Sequence, residues 1–266
     1  MRAPRAVLLA LTAALLLLAG CGDGGGDDRG GDSGGGGATP RPITSEEAER
    51  LAVMRFRNVD AGTRSLSARY EEQGHRVEID GWFDYGAGAG YGVVSTAGAP
   101  GDAVVWDDMR VAIAPEPPDA VGEPPSSFER WSIAPVDPQG SAVGSLFAIV
   151  AGLGADRPEN PLLLQQGGAL WLRTDRVGDQ EVTVFAGPTA PSGEQGGPAE
   201  GDGEQTSGPV DPDAANVRYW LDETGLAHRV EVRVGTSWAR IDLGPAEDVT
   251  VTPPPAVDVG GGEGSG

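Results

Sequence analysis

Between Arg76 and Tyr85 the chain alternates without a break. Val77, Ile79, Gly81, Phe83 and Tyr85 fall on one phase, and Arg76, Glu78, Asp80, Trp82 and Asp84 on the other. A repeat of two belongs to a strand with one face buried and one in water. The same alternation covers Leu66–Tyr70, Val104–Ile113, Leu170–Thr174, Val182–Ala186, Val217–Leu221, Arg229–Val234 and Trp238–Leu243. Asp222-Glu223-Thr224-Gly225 separates two of these runs and predicts a hairpin turn. Paired across it, Val217, Tyr219 and Leu221 share a face with Val230, Val232 and Val234, opposite Arg229, Glu231 and Arg233. Many hairpin strands with one wet face imply a single antiparallel sheet whose other face needs a cover.

Two helical segments can supply that cover. Thr44 and Glu47 have capping-box spacing, and Ala48, Leu51, Ala52, Phe56 and Val59 then follow on one helical face. Val143, Leu146, Phe147, Val150 and Leu153 predict a second, apolar helix over Ser141–Leu153. It is too short for a membrane span. Its glycines make it weak by propensity, so packing must hold it.

Flanking and interrupting this domain are stretches that cannot bury surface. Residues 21–43 are a tether after the first residue, with ten Gly and four Asp in Gly22–Ile43. As a Gly-rich coil it reaches roughly 25 Å. Gly187–Asp213 holds seven Gly, five Pro and six acids with no base, which predicts a flexible acidic loop between strands. Residues 253–266 form a disordered tail. One domain over 44–252 remains.

The first twenty residues have their own logic. Arg2 and Arg5 precede an apolar run over Ala6–Ala19 that only Thr12 interrupts, and Leu18-Ala19-Gly20-Cys21 closes it. A basic start, a short apolar core and small residues before a cut predict a secretory signal over 1–20. The run is shorter than the about 20 residues that cross a bilayer. Leu-Ala-Gly-Cys resembles the lipobox of bacterial lipoproteins, which implies a lipid on Cys21 and a place on the outer face of the cell membrane. The competing reading is an ordinary signal peptide with an incidental cysteine. Cys21 is the only cysteine, so no internal disulfide is available.

Charge and side-chain inventory exclude whole classes of function. Nineteen basic residues, none of them Lys, stand against 40 acidic ones, for a net charge of −21. That balance disfavours nucleic acid and anionic surfaces as partners, and the lack of Lys removes Schiff-base chemistry. The two His, His75 and His228, share no ligand spacing with other donors and read as solvated strand-end residues. Gly86–Gly90 has the glycines of a phosphate loop without its Lys, and predicts a hairpin connection. Asp84 with Asp107 and Asp108 could form a carboxylate pair, a weak sign among 40 acids. Six Trp on strand patterns read first as core. No nucleophile–base set, metal cluster or cofactor motif appears, so the expectation is a protein that is not an enzyme and takes no metal or cofactor.

The second half carries a resemblance. Asn160-Pro161-Leu162-Leu163-Leu164 leads to Ala169-Leu170-Trp171-Leu172-Arg173, then to Gly178 and Val182-Thr183-Val184-Phe185. Val217-Arg218-Tyr219-Trp220-Leu221-Asp222, Gly225-Leu226-Ala227-His228-Arg229-Val230, Asp242-Leu243-Gly244 and Val249-Thr250-Val251-Thr252-Pro253 complete the order. This series resembles the LppX/LprA/LprF/LprG lipoproteins of actinobacteria and, more distantly, the LolA-like carriers of lipoproteins. The resemblance covers most of 44–253 and rests on degenerate structural motifs; the 187–213 insertion departs from it. It implies an α+β fold, a strongly bent antiparallel half-barrel around two or more helices, with an apolar cavity between them. It also implies a lipid cargo and supplies no catalytic residues.

The sequence therefore sets one main expectation, a lipid-anchored binding protein holding an acyl chain or similar apolar ligand. The candidate lining is Val77, Ile79, Phe83, Leu146, Phe147, Tyr219, Leu221, Val230 and Val232. The alternative is an envelope sensor or docking lipoprotein with a closed core and a protein partner. Oligomeric state is left open.

Overall fold

A computed structural model describes residues 39–72, 74–96, 101–116, 121–188 and 214–256. The leader, Cys21, most of the tether, the bulk of the acidic loop and the last ten residues lie outside the described residues. In chain order the elements are β1 (Arg41–Pro42), α1 (Ser45–Ala52), α2 (Met54–Asp60), β2 (Thr63–Glu72), β3 (His75–Asp84) and β4 (Ala89–Thr96). Then come β5 (Asp102–Trp106), β6 (Arg110–Ile113), β7 (Ser132–Pro135), α3 (Ala142–Gly152) and α4 (Pro161–Gln166). The chain closes with β8 (Leu170–Val177), β9 (Gln180–Ala186), β10 (Val217–Leu221), β11 (Ala227–Val234) and β12 (Ser237–Ala246).

All the strands join one open antiparallel sheet in the order β1-β8-β9-β10-β11-β12-β2-β3-β4-β5-β6-β7. The α+β antiparallel expectation holds. The last strand, β12, pairs with β2, so the two runs of hairpins meet in mid-sheet. Helix α3 packs on β11 and, through Phe147, stacks on Trp106 of β5. Those strands stand five places apart, about 24 Å in a flat sheet at roughly 4.8 Å per strand. A helix of 11 residues reaches both only if the sheet bends around it.

Helix α1 starts as the capping box requires. The Thr44 hydroxyl accepts from Glu47 N at 3.3 Å, and Glu47 accepts from Thr44 N at 2.8 Å. Arg41 donates to both Glu47 oxygens, at 2.8 and 2.7 Å, and holds that carboxyl below its usual range. Strand β1 thus lies inside the stretch read as tether, and Ile43 is already buried. The single long helix expected here is two, because the buried face shifts at Val53 from Ala48, Leu51 and Ala52 to Met54 and Asn58. Phe56, expected on the buried face, is only half-buried. Helix α3 begins after Ser141, whose hydroxyl accepts from Gly144 N at 2.8 Å. Helix α4 has Asn160 as its cap and Pro161 in its first turn, and packs on α1.

The main core fills the helix side of the sheet. The far side is not uniformly wet, as the alternation implied. Leu170, Leu172, Val182, Val184 and Trp220 form a second apolar cluster. Tyr91, Val105 and Val251 anchor a third, with Trp82, Phe128 and Trp131 packed against it. The third forms because the segments around Phe128 and Val251 fold back over the outer face. Trp82 Nε1 donating to Glu247 at 2.8 Å ties the C-terminal segment there.

Candidate ligand-binding site

A cleft of ≈ 280 Å³ opens between the first half of α3 and the inner face of β4, β5 and β6. Val94, Val104, Val111, Ile113, Val143 and Phe147 line it with Pro135 and Val136, and the exposed Asp102, Asp137 and Ser141 border it. The strand pairing produces this lining. The Asp107 carboxylate accepts from Met109 N at 2.8 Å and Arg110 N at 2.6 Å and makes the chain turn, so Val104 pairs with Ile113 and Val111 with Trp106. Had 104–113 run on as one strand, Val104 and Ile113 would face opposite sides. Gly144 permits close approach of α3, because a β-carbon there would overlap the Asp137 carbonyl.

Behind the cleft lies an aromatic stack. Phe147 lies over Trp106 with centroids 4.6 Å apart and planes 22° apart. Phe83 follows at 6.0 Å from Trp106 and 4.7 Å from Tyr85. Gly90 makes room for Trp106, since a β-carbon there would overlap the indole.

All nine sequence-derived lining residues reach the helix-side core. Val77, Ile79, Phe83, Leu146, Phe147, Leu221 and Val230 are buried in it, and Tyr219 and Val232 pack against it half-buried. Burial, with Glu159 nearby, pushes the Tyr219 hydroxyl up to about 12. Only Phe147 of the nine borders the cleft; the β10–β11 hairpin stands elsewhere in the core. Two other depressions have charged walls. One of ≈ 440 Å³ is lined by Arg69, Glu71, Arg76 and Trp238, the other, of ≈ 350 Å³, by Arg50, Glu181 and Glu223.

Asp84, Asp107 and His228, weighed above for chemistry, serve structure. Asp84 accepts from Gly86 N and Ala87 N, both at 2.9 Å, and Asp107 is also ion-paired to Arg110. His228 is not a solvated strand end: its Nε2 lies 3.0 Å from Asp222 Oδ2 and its side chain is 20% exposed. Burial pushes the Asp222 carboxyl up, but hydrogen bonds from His228, Thr224 and Leu226 outweigh it and hold the group low. Sequence reasoning missed Arg64, a guanidinium only 1% exposed. It donates to Asn58 Oδ1 at 3.2 Å and to the carbonyls of Ala227, Leu243 and Gly244 at 2.6, 3.1 and 2.9 Å. Among the described residues no group of His, Cys, Asp and Glu could hold a metal, and no helix is long and apolar enough to cross a membrane.

No protein-family model matches this sequence, and no curated protein does. Among solved structures, the chain is similar to the lipoprotein LppX of Mycobacterium tuberculosis. That similarity covers 78% of this chain and 98% of that one, at 14% identity and a TM-score of 0.41. It is also similar to LprF from Mycobacterium bovis, over 81% of this chain and 100% of that one, at 9% identity and a TM-score of 0.44. A putative outer membrane lipoprotein-sorting protein domain from Vibrio parahaemolyticus shows 9% identity over 77% of this chain and 92% of that one, with a TM-score of 0.29. The strand order, the pairing and the helices on the inner face make this chain an α+β fold built on one bent, open antiparallel sheet.

Proposed function

We propose that this protein is a non-enzymatic lipoprotein, held on the outer face of the cell membrane through Cys21, that binds a single acyl chain between α3 and strands β4–β6. The observation that carries the reading is the cleft itself: eight apolar side chains line one slot, and its polar members, Asp102, Asp137 and Ser141, are solvent-exposed. Its ≈ 280 Å³ falls just under the about 300–1,000 Å³ of small-molecule pockets, which suits one chain and not a bundle of them. Burying eight methylenes gains about 6 kcal/mol before ordering costs. Asp102 and Asp137 at the rim and the net charge of −21 disfavour an anionic head, so the cargo is an uncharged amphiphile.

Native mass spectrometry of the purified protein, followed by titration with a neutral fluorescent acyl probe, tests this. A co-purified lipid or saturable probe binding is expected, lost on Val143→Trp while the melting temperature stays within a few degrees. If no lipid co-purifies and no probe binds, the carrier reading fails and the protein-docking alternative replaces it.

A further inference from the structure

Of the large apolar side chains described, only Met109, Leu162 and Leu163 stand largely in water, at 67%, 62% and 63% exposure. Met109 is alone at the Asp107 turn. Leu162 and Leu163 are neighbours on α4, a helix that buries only Leu164 and packs on α1. Polar residues at 162 and 163 would serve the fold as well. A single exposed leucine needs no explanation, but these two lie within Asn160–Leu172, which has no charged residue in a chain that is 22% charged.

Their place in the fold points to what they meet. The chain enters the domain beside α4: Arg41 and Pro42 pair with Trp171 and Leu170, and Ile43 N donates to the Ala169 carbonyl at 3.4 Å. Gln165 of α4 donates through Nε2 to the Ile43 carbonyl, also at 3.4 Å. Residues 22–38 separate Cys21 from Thr39, the first residue described. A Gly-rich coil of that length averages roughly 25 Å end to end. Strand β8 leads away from the point of entry, and its far end at Val177 stands about 25 Å from Leu170 at roughly 3.3 Å per residue. An anchor on Cys21 therefore holds the α4 end of the domain nearest the bilayer.

We propose that Leu162 and Leu163 are a membrane contact: the anchored domain rests on the bilayer with its α4 end down, and the two side chains enter the lipid interface. The inference rests on the lipid anchor at Cys21 and adds the orientation of the domain on its membrane. Two leucines supply only a small part of the about 800 Å² that each partner buries in a stable protein interface, which argues against a second copy or another protein here. A bilayer interface takes apolar side chains in proportion to their area, and a tether that has already brought the domain to the surface makes a small area enough. The uncharged run Asn160–Leu172 can approach headgroups without adding to the repulsion that a net charge of −21 produces.

The test uses the full-length, lipidated protein carrying Gln166→Cys. Gln166 is exposed and shares a helix face with Leu162 and Leu163. With the sulfur of Cys21 taken up by lipid, position 166 offers the only free thiol for an environment-sensitive dye. The protein is placed in phosphatidylcholine vesicles with and without brominated acyl chains, which quench dyes that reach the bilayer. Quenching and a blue shift are expected at 166, and neither at a dye on Asp179→Cys beyond the far end of β8. Adding Leu162→Ser and Leu163→Ser should remove most of the quenching at 166 and leave the melting temperature unchanged, because both side chains are exposed. A protein that floats with the vesicles but shows no quenching at 166, or equal quenching at 166 and 179, overturns the inference alone. Quenching that survives the two serines overturns it as well. A Cys21 thiol that stays free, with no flotation, overturns the anchor reading on which it rests.

Discussion

Arg64 donates to the Asn58 side-chain oxygen at 3.2 Å, and Asn58 in turn donates to the Leu153 carbonyl at 2.8 Å, so two buried polar side chains join the sheet to α2 and to the end of α3. Through Ala227, Leu243 and Gly244 the same guanidinium also bonds the backbone of β11 and β12. A planar fork with five donors fits four acceptors in different directions; a Lys ammonium does not. Arg64→Ala leaves these acceptors buried and unpaired, so a loss of about 3–5 kcal/mol in urea unfolding is expected. Arg64→Lys should recover little of it. Near-wild-type stability of the Lys variant would show that the charge matters and the fork does not.

A second prediction concerns acid. The Asp222 carboxyl, held low, accepts from Thr224 N at 2.8 Å, Thr224 Oγ1 at 2.7 Å and Leu226 N at 3.1 Å, beside His228. A carboxyl whose folded pKa is depressed stabilises the fold fully above its unfolded value of about 3.9, and this contribution is lost as pH falls through the folded pKa. Asp222→Asn should therefore be less stable than the parent near neutrality, with the gap narrowing below about pH 4. Urea melts at both pH values measure it, and a gap independent of pH would remove Asp222 ionisation from the account.

Glycine explains both a close contact and a strand that the alternation hid. On β4, Gly90 and Gly92 occupy the inward phase, between outward-facing Ala89, Tyr91 and Val93. With no side chain at these two inward positions, and Val94 the first to follow them, the period-two pattern is lost from the first half of the strand although the pairing is intact. The Trp106 indole takes the space over Gly90 instead. Gly90→Ala should therefore overpack the stack and cost about 1–3 kcal/mol, read as a fall of several degrees in melting temperature. An unchanged melting temperature would mean that Trp106 moves freely, contrary to its full burial.

Other features were lost to the sequence for equally local reasons. Helix α4 is six residues, too short for a helical repeat to show, although Asn160 and Pro161 are ordinary start signals. Strand β7 has four residues and β1 two, and pairing with β6 and β8 makes them strands. Arg64 sits one repeat upstream of Leu66, Ala68 and Tyr70 on the inward phase of β2, so only extending that alternation by two residues would have exposed a charge in the core. The cleft is half legible: the apolar positions of 104–113 are visible, but the Asp107 turn that brings Val104 and Ile113 to one face has no glycine or proline to mark it. The β10–β11 hairpin, by contrast, was legible because Asp222 and Gly225, with φ of +86°, mark the turn and both flanks alternate.

The proposed anchor gives a prediction independent of the fold. Cys21 is the only thiol in the chain and follows Leu18-Ala19-Gly20. Cys21→Ser should abolish lipid labelling and move the protein out of the membrane fraction. A serine variant that stays in the membrane with residues 1–20 attached would instead make the apolar run a retained anchor.

The last prediction separates the core from the slot. Leu221 is fully buried, opposite Ala227 at the end of the β10–β11 hairpin, and lies in the main core. Removing its side chain leaves a void that close-packed neighbours can only partly fill, so Leu221→Ala should cost about 2–5 kcal/mol. Val232 is half-buried against the same core but does not border the cleft, whereas Val111 on β6 does. Val232→Trp should therefore leave acyl-probe affinity unchanged in whatever fraction stays folded. Val111→Trp, projecting an indole into ≈ 280 Å³ of open space, should abolish binding with little loss of stability. Probe titration and thermal melting of the three variants give the answer together. Lost affinity on Val232→Trp with retained affinity on Val111→Trp would move the ligand from the α3 cleft to the hairpin, where the alternating valines first suggested it.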